Sequence, residues 1–64
     1  MGRFEADVMA AMDGKAEGVI EARERELEGL KKTLRGTPWE RREELYRRLR
    51  ELMEELDVIK VVAS

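Results

Sequence analysis

One helical pattern ends and another begins within a six-residue stretch, Arg35-Gly36-Thr37-Pro38-Trp39-Glu40. Gly36 is the residue type that ends a helix in the left-handed conformation. Thr37 is a good N-cap, and Pro38 suits the first position of the next helix. Glu40 follows Thr37 by three residues, which completes a capping box. Because so few residues separate the two helices, they are predicted to fold back on each other as an antiparallel hairpin.

The composition makes oligomerisation the expected source of additional stability. A domain of 64 residues buries only about 60% of its unfolded surface. The sequence contains no Cys and no His, so it has no disulfide and none of the usual zinc sites, and we expect no metal and no cofactor. Asn and Gln are also absent and 44% of the residues are charged. This composition is typical of thermostable proteins and of designed ones, and does not distinguish between them.

The charges are nearly balanced, with 13 basic and 15 acidic residues and a formal net charge of -2. Such a balance favours neither a polybasic segment for nucleic acid nor an acidic mimic of it. No apolar run approaches the roughly 18 residues of a membrane span, and the chain does not start with a signal-peptide pattern. We therefore expect a cytoplasmic protein without membrane contact.

The first fourteen residues form a helical arm that differs in character from the rest. Its apolar residues recur at three- and four-residue steps, at Phe4, Val8, Ala11 and Met12. The dipeptide Asp13-Gly14 then favours a turn. Two alternatives follow: one long first helix kinked near Gly14, or a short arm that packs against a hairpin beginning at Lys15. Because the apolar pattern continues through residues 16–20, the continuous helix is favoured.

The hairpin consists of residues 15–35 and 38–57, joined by a turn at 36–37. Both arms carry apolar residues at the heptad spacing of coiled coils. The predicted core and oligomer interface are formed by Ile20, Leu27, Leu30, Leu34, Leu45, Leu49, Leu52 and Leu56. Two facing amphipathic helices leave half of each stripe exposed, so the hairpin is predicted to dimerise into a four-helix bundle. A monomer would instead require the arm to close the core as a third helix.

The last seven residues, 58–64, form an apolar tail rich in β-branched side chains. Such a composition suits a strand about as well as a last helical turn. Ile59 and Ala63 continue the heptad seam of the preceding helix, which favours a helical continuation.

Arg23 lies at the centre of the apolar stripe of the first hairpin helix, where a charged side chain must be paired, reach solvent or bind a ligand. One interpretation is a site for an anion or for a partner's carboxylate. The favoured interpretation is a polar seam that sets the helix register. Its expected counter-ion is Glu26 or a glutamate of another subunit.

Two further features are candidates for a partner surface. Trp39 beside the turn can anchor a partner, although packing over Leu34 and Tyr46 as a cap on the core is favoured. The arm carries an adaptable apolar patch that packs either on a partner or on the end of the bundle. This patch is formed by Phe4, Val8, Met9 and Met12.

Catalysis and nucleic-acid binding have little support in the sequence. Without Cys and His the commonest nucleophile and general base are missing, so we predict that the protein is not an enzyme. The arginines of the second helix do not form one basic stripe, which favours a solvated face; they are Arg41, Arg42, Arg47, Arg48 and Arg50.

The predicted function is a small interaction or regulatory module that binds itself, as a homodimer or higher oligomer, and another protein. A self-assembling subunit whose termini join its neighbours is the first alternative. A dimer that binds nucleic acid through clustered arginines is the least favoured alternative.

Overall fold

The computed structural model describes residues 2–64, which form three α-helices and no strand. The helices are α1 (Arg3–Ala10), α2 (Ala16–Arg35) and α3 (Arg42–Ala63), and the 3₁₀ turn Trp39–Arg41 precedes α3. α2 and α3 pack against each other in opposite directions, which confirms the predicted helical hairpin. Within this part of the chain, no helix combines the length and apolarity that a bilayer span requires.

The hairpin turn differs in detail from the prediction. Gly36 ends α2 with φ -92° and ψ 2°, so it is not left-handed. The Thr37 hydroxyl donates a hydrogen bond to the carbonyl of Thr33, 2.6 Å away. Pro38 is extended, with ψ 146°, and α3 begins only at Arg42. The predicted capping box is therefore wrong, because the Thr37 hydroxyl satisfies a free carbonyl at the end of α2 instead of an amide of α3.

The first helix is not continuous with the second, so that expectation is also wrong. Residues 11–15 form a kink between α1 and α2 rather than a regular helical turn, because Gly14 has φ +85° and ψ 11°. The chain reverses there, and the Arg3 side chain hydrogen-bonds to Glu26. In a straight helix these two residues would be about 35 Å apart. Glycine adopts the left-handed conformation at little cost, so the turn signal at Gly14 outweighs the apolar pattern that runs through it.

The buried core lies in the half of the hairpin that α1 covers. Its apolar members are Ala11, Leu27, Leu52, Leu56 and Ile59. With eight residues, α1 is about 12 Å long, whereas the twenty residues of α2 extend about 30 Å. α1 therefore closes the core at one end only. At the turn end, the predicted core residues are only partly buried: Leu30, Leu34, Leu45 and Leu49.

The apolar tail is helical, as the continued heptad seam predicted. α3 extends to Ala63, and the hydroxyl of Ser64 donates to the carbonyl of Val61 at 2.7 Å. Ile59 is completely buried, which explains why the helix continues beyond residue 57. The tail therefore buries Ile59 within its own chain without a pairing strand, whereas Val58, Val61 and Val62 remain exposed.

Candidate functional site

Arg23 lies where the three helices meet, and it is only 1% exposed. Its Nε donates a hydrogen bond to Asp7 Oδ2 of α1 at 2.8 Å. Its Nη1 donates to Glu55 Oε1 of α3 at 2.7 Å. One guanidinium of α2 therefore holds both other helices, since a buried cation must be paired with carboxylates.

Within the chain, the counter-ions of Arg23 are Asp7 and Glu55 and not Glu26. Glu26 accepts a hydrogen bond from Arg3 Nη1 at 2.9 Å and lies 3.6 Å from Arg48. The expectation of Glu26 as counter-ion is wrong, because its position on α2 faces the start of α1. Asp7 offered a signal that sequence reasoning missed, since it interrupts the apolar stripe of the arm.

The ion pairs around Arg23 are balanced in charge. Three arginines face three carboxylates; the six residues are Arg3, Arg23, Arg48, Asp7, Glu26 and Glu55. The hydrogen bond from Arg3 lowers the pKa of Glu26, and the same bond raises the pKa of Arg3. Both side chains remain partly exposed, so this outer pair contributes less than about 1 kcal/mol. The buried Arg23 makes the more specific connection.

The environment of Arg23 depends on α1. The guanidinium carbon lies 5.9 Å from the ring centroid of Phe4, within the range of a cation–π interaction. Its Nη2 is buried and has no hydrogen-bond partner among residues 2–64. Without α1, Arg23 would lose both Phe4 and Asp7 as neighbours. The network of these six charged residues therefore holds α1 against the hairpin, and we call it the clasp.

A groove runs between α2 and α3, and no residue of α1 lines it. Its volume is about 300 Å³, and the nearly buried Leu27 and Leu56 belong to its lining. Met53 also lines the groove and is 50% exposed. The charged lining residues have both signs; they are Glu24, Glu28, Lys31, Asp57 and Lys60. A groove that combines three apolar side chains with charges of both signs can receive another amphipathic helix.

Trp39 does not cap the core, which corrects the favoured prediction. It is 76% exposed and shares an open recess with Tyr46, of about 370 Å³. Arg42 is half-buried at this end instead, and its Nε donates to the carbonyl of Thr37 at 3.0 Å. The extended Pro38 delays the start of α3, so Trp39 lies outside the helical register that the prediction assumed.

The predicted apolar patch of the arm is divided between two environments. Phe4 and Val8 are partly buried against the hairpin, whereas Met9 and Met12 are largely exposed. Val61, in the last turn of α3, is also largely exposed. Exposed apolar side chains of this kind, when clustered, are typical of contact surfaces.

The arginines of the α3 region are dispersed in the structure. Arg42 is engaged at the turn, and Arg48 lies near Glu26 and Glu51. The other three are exposed: Arg41, Arg47 and Arg50. Within residues 2–64, no three potential metal-binding side chains come together.

The chain has no match among the protein families, the curated proteins or the solved structures with which it was compared. The clasp, the groove and the exposed apolar residues are therefore the features from which a function can be inferred.

Proposed function

We propose that this protein is a non-enzymatic interaction module that acts as a homo-oligomer, in which a second copy packs over the groove between α2 and α3. The observation that carries this proposal is a line of apolar side chains along α3, of which Met53 and Leu56 line the groove. They follow one another at steps of three, four and three residues: Tyr46, Leu49, Met53 and Leu56. This is the spacing by which one helix packs into another in a coiled coil.

The charges at the groove favour a second copy as its occupant. Glu24, Glu28 and Asp57 are acidic, and Lys31 and Lys60 are basic. In a two-fold symmetric dimer the same patch meets itself, so a self-complementary patch must carry both signs. Each lysine can then face a carboxylate of the other copy.

The size of the molecule is compatible with such a dimer. The protein extends 41 by 19 by 18 Å. Its long face is close to the roughly 800 Å² per partner that a standard interface buries. Met53 and Tyr46, which are about half exposed, would gain most from the second copy. Two hairpins packed in this way form the four-helix core of the proposed dimer.

The test is the mass in solution, measured by light scattering after size exclusion over a wide concentration range. The wild type is expected to reach a dimer plateau. Met53→Glu places a charge on the groove and is expected to make dimerisation weaker than in the wild type. Val58→Glu is the matched control, because Val58 is 45% exposed on the same helix and does not line the groove. A wild type that stays monomeric, or a Met53→Glu variant that keeps the wild-type mass, contradicts the proposal.

A self-assembling subunit is the second candidate, and exposed apolar residues at both ends of the molecule support it. Trp39 lies at the turn end, whereas Met12 and Val61 are exposed towards the other end. Contacts between unlike ends are heterologous and can continue without closure. In the same light-scattering series, a mass that keeps growing with concentration favours this candidate over the closed dimer.

A further inference from the structure

We propose that α1 is an exchangeable arm, which docks on the hairpin of a second copy by the same contacts that it makes with its own. The interaction surface is the side of the hairpin around Arg23, and its partner is α1 of another copy. Gly14 is the hinge. This inference is independent of the groove dimer and uses a different surface.

The contacts of α1 can all be remade between two chains. Arg3 pairs with Glu26, Asp7 pairs with Arg23, and Phe4 lies beside the same guanidinium. None of these contacts depends on the chain that connects α1 to α2. In addition, none of the residues of α1 is fully buried, so its departure opens only part of the core. Two copies that exchange their arms restore every contact twice in a closed dimer.

In this proposal the hinge at Gly14 has a closed and an open conformation, which place the arm differently. In the closed form Gly14 has φ +85°, and the arm folds back on its own hairpin. If Gly14 becomes helical, residues 3–35 form one helix of about 50 Å. The arm then projects beyond the end of its own hairpin, and its side chains can make these contacts only with the hairpin of another copy. The apolar pattern that continues from the arm into residues 16–20 is compatible with this open form.

The substitution Gly14→Ala is expected to favour the open form over the closed form. A Cβ added at Gly14 would meet no atom within 4 Å, so only the left-handed backbone of the closed form is penalised. This penalty is at least about 1 kcal/mol for each hinge, and an exchanged dimer relieves two hinges. Dimerisation is therefore expected to become about 30-fold tighter, since 1.4 kcal/mol corresponds to a factor of ten.

The matched control is Gly18→Ala, because Gly18 lies within α2 and its added Cβ also meets nothing within 4 Å. Both substitutions are compared in the Met53→Glu background, where the groove dimer does not contribute. Light scattering and sedimentation then give the dimerisation constants. Equal constants for the Gly14 and Gly18 variants overturn the exchange of arms. That result would leave the groove proposal unaffected, since Met53 alone tests the groove.

A mixing experiment tests the exchange without changing the hinge. Arg3→Glu and Glu26→Arg, each combined with Met53→Glu to remove the groove dimer, replace the outer pair within one chain by two like charges. In an exchanged heterodimer of the two variants, the substituted arm of one chain meets the substituted hairpin of the other with opposite charge. The second pair is formed by the unchanged Arg3 of one chain and the unchanged Glu26 of the other. An exchanged homodimer of either variant contains only like charges at these two positions.

The heterodimer is therefore expected to exceed the half share of random mixing, as counted by native mass spectrometry. Every Glu26→Arg chain carries the same repulsion between its new arginine and Arg48, in homodimer and heterodimer alike, so this repulsion does not bias the ratio. A random share, or monomers only, overturns the inference.

Discussion

Arg23 donates a hydrogen bond to Asp7, which precedes it by sixteen residues, at a distance of 2.8 Å. This bond joins the middle of α2 to α1 across the reversal at Gly14. Because Arg23 also holds Glu55, the position that breaks the apolar stripe of α2 connects all three helices through partly buried hydrogen bonds. A buried charge in this place selects one arrangement of α1, as polar residues select one register in coiled coils.

Removal of Arg23 is expected to destabilise the protein. Arg23→Leu removes two charged hydrogen bonds and leaves Asp7 with only the longer contact to Arg3, at 3.7 Å, which should cost about 1–3 kcal/mol. The additional substitutions Asp7→Ala and Glu55→Ala should recover most of this loss, because no unpaired carboxylate remains. Urea unfolding of the single and triple variants measures both effects. A single variant as stable as the wild type contradicts the role of the clasp.

The pair of Arg3 and Glu26 is expected to make stability depend on pH. The hydrogen bond from Arg3 holds the pKa of Glu26 below its ordinary value of 4.5. The folded state therefore binds this proton less readily than the unfolded state does. The stabilisation is present above about pH 4.5 and is lost as the pH falls through the lower, folded value.

Glu26→Gln is the comparison that isolates this carboxylate from the other acidic groups. The difference between the unfolding free energies of the wild type and this variant should be constant above about pH 4.5. It should shrink at lower pH, as Glu26 becomes protonated in the folded state. A difference that does not change with pH shows that the pair does not stabilise the fold.

The two ends of the hairpin are expected to respond differently to core truncation. Leu52 is 2% exposed, so Leu52→Ala should cost about 2–5 kcal/mol. Leu45 is partly exposed at the turn end, and Leu45→Ala should cost less than about 2 kcal/mol in a monomer. Unfolding at low and at high protein concentration measures the cost of each substitution. A Leu45→Ala cost that increases with concentration indicates that a second copy buries this end.

Trp39 is expected to contribute little to folding. Trp39→Ala should change stability by no more than about 0.5 kcal/mol, because the side chain is largely in solvent. Arg42→Ala should cost about 1 kcal/mol, since it removes the hydrogen bond to the Thr37 carbonyl. Thermal unfolding compares the two variants. A larger loss for Trp39→Ala than for Arg42→Ala indicates that Trp39 packs on the core.

Local signals in the sequence were sufficient for the hairpin and for the helical tail. The break near Gly36 separates two heptad seams, and Ile59 continues the second seam into the core. The same signals gave the wrong contacts for Thr37 and Trp39. The Thr37 hydroxyl could bond either to an amide of α3 or to a carbonyl of α2, and the Trp39 indole could lie either over the core or in solvent. The start of a helix depends on the balance between such local alternatives, which the spacing of residues does not reveal.

The sequence by itself determined that the chain is helical, where the hairpin turns and which residues form its apolar seams, because these features depend on periodicity and on turn residues close together in the chain. Only the tertiary structure decided that α1 folds back at Gly14 and that Asp7 and Glu55 pair with Arg23. Both the straight and the reversed arm satisfy the local pattern. The choice between them depends on contacts between residues 16 and 23 positions apart, where a buried guanidinium selects the carboxylates that can reach it.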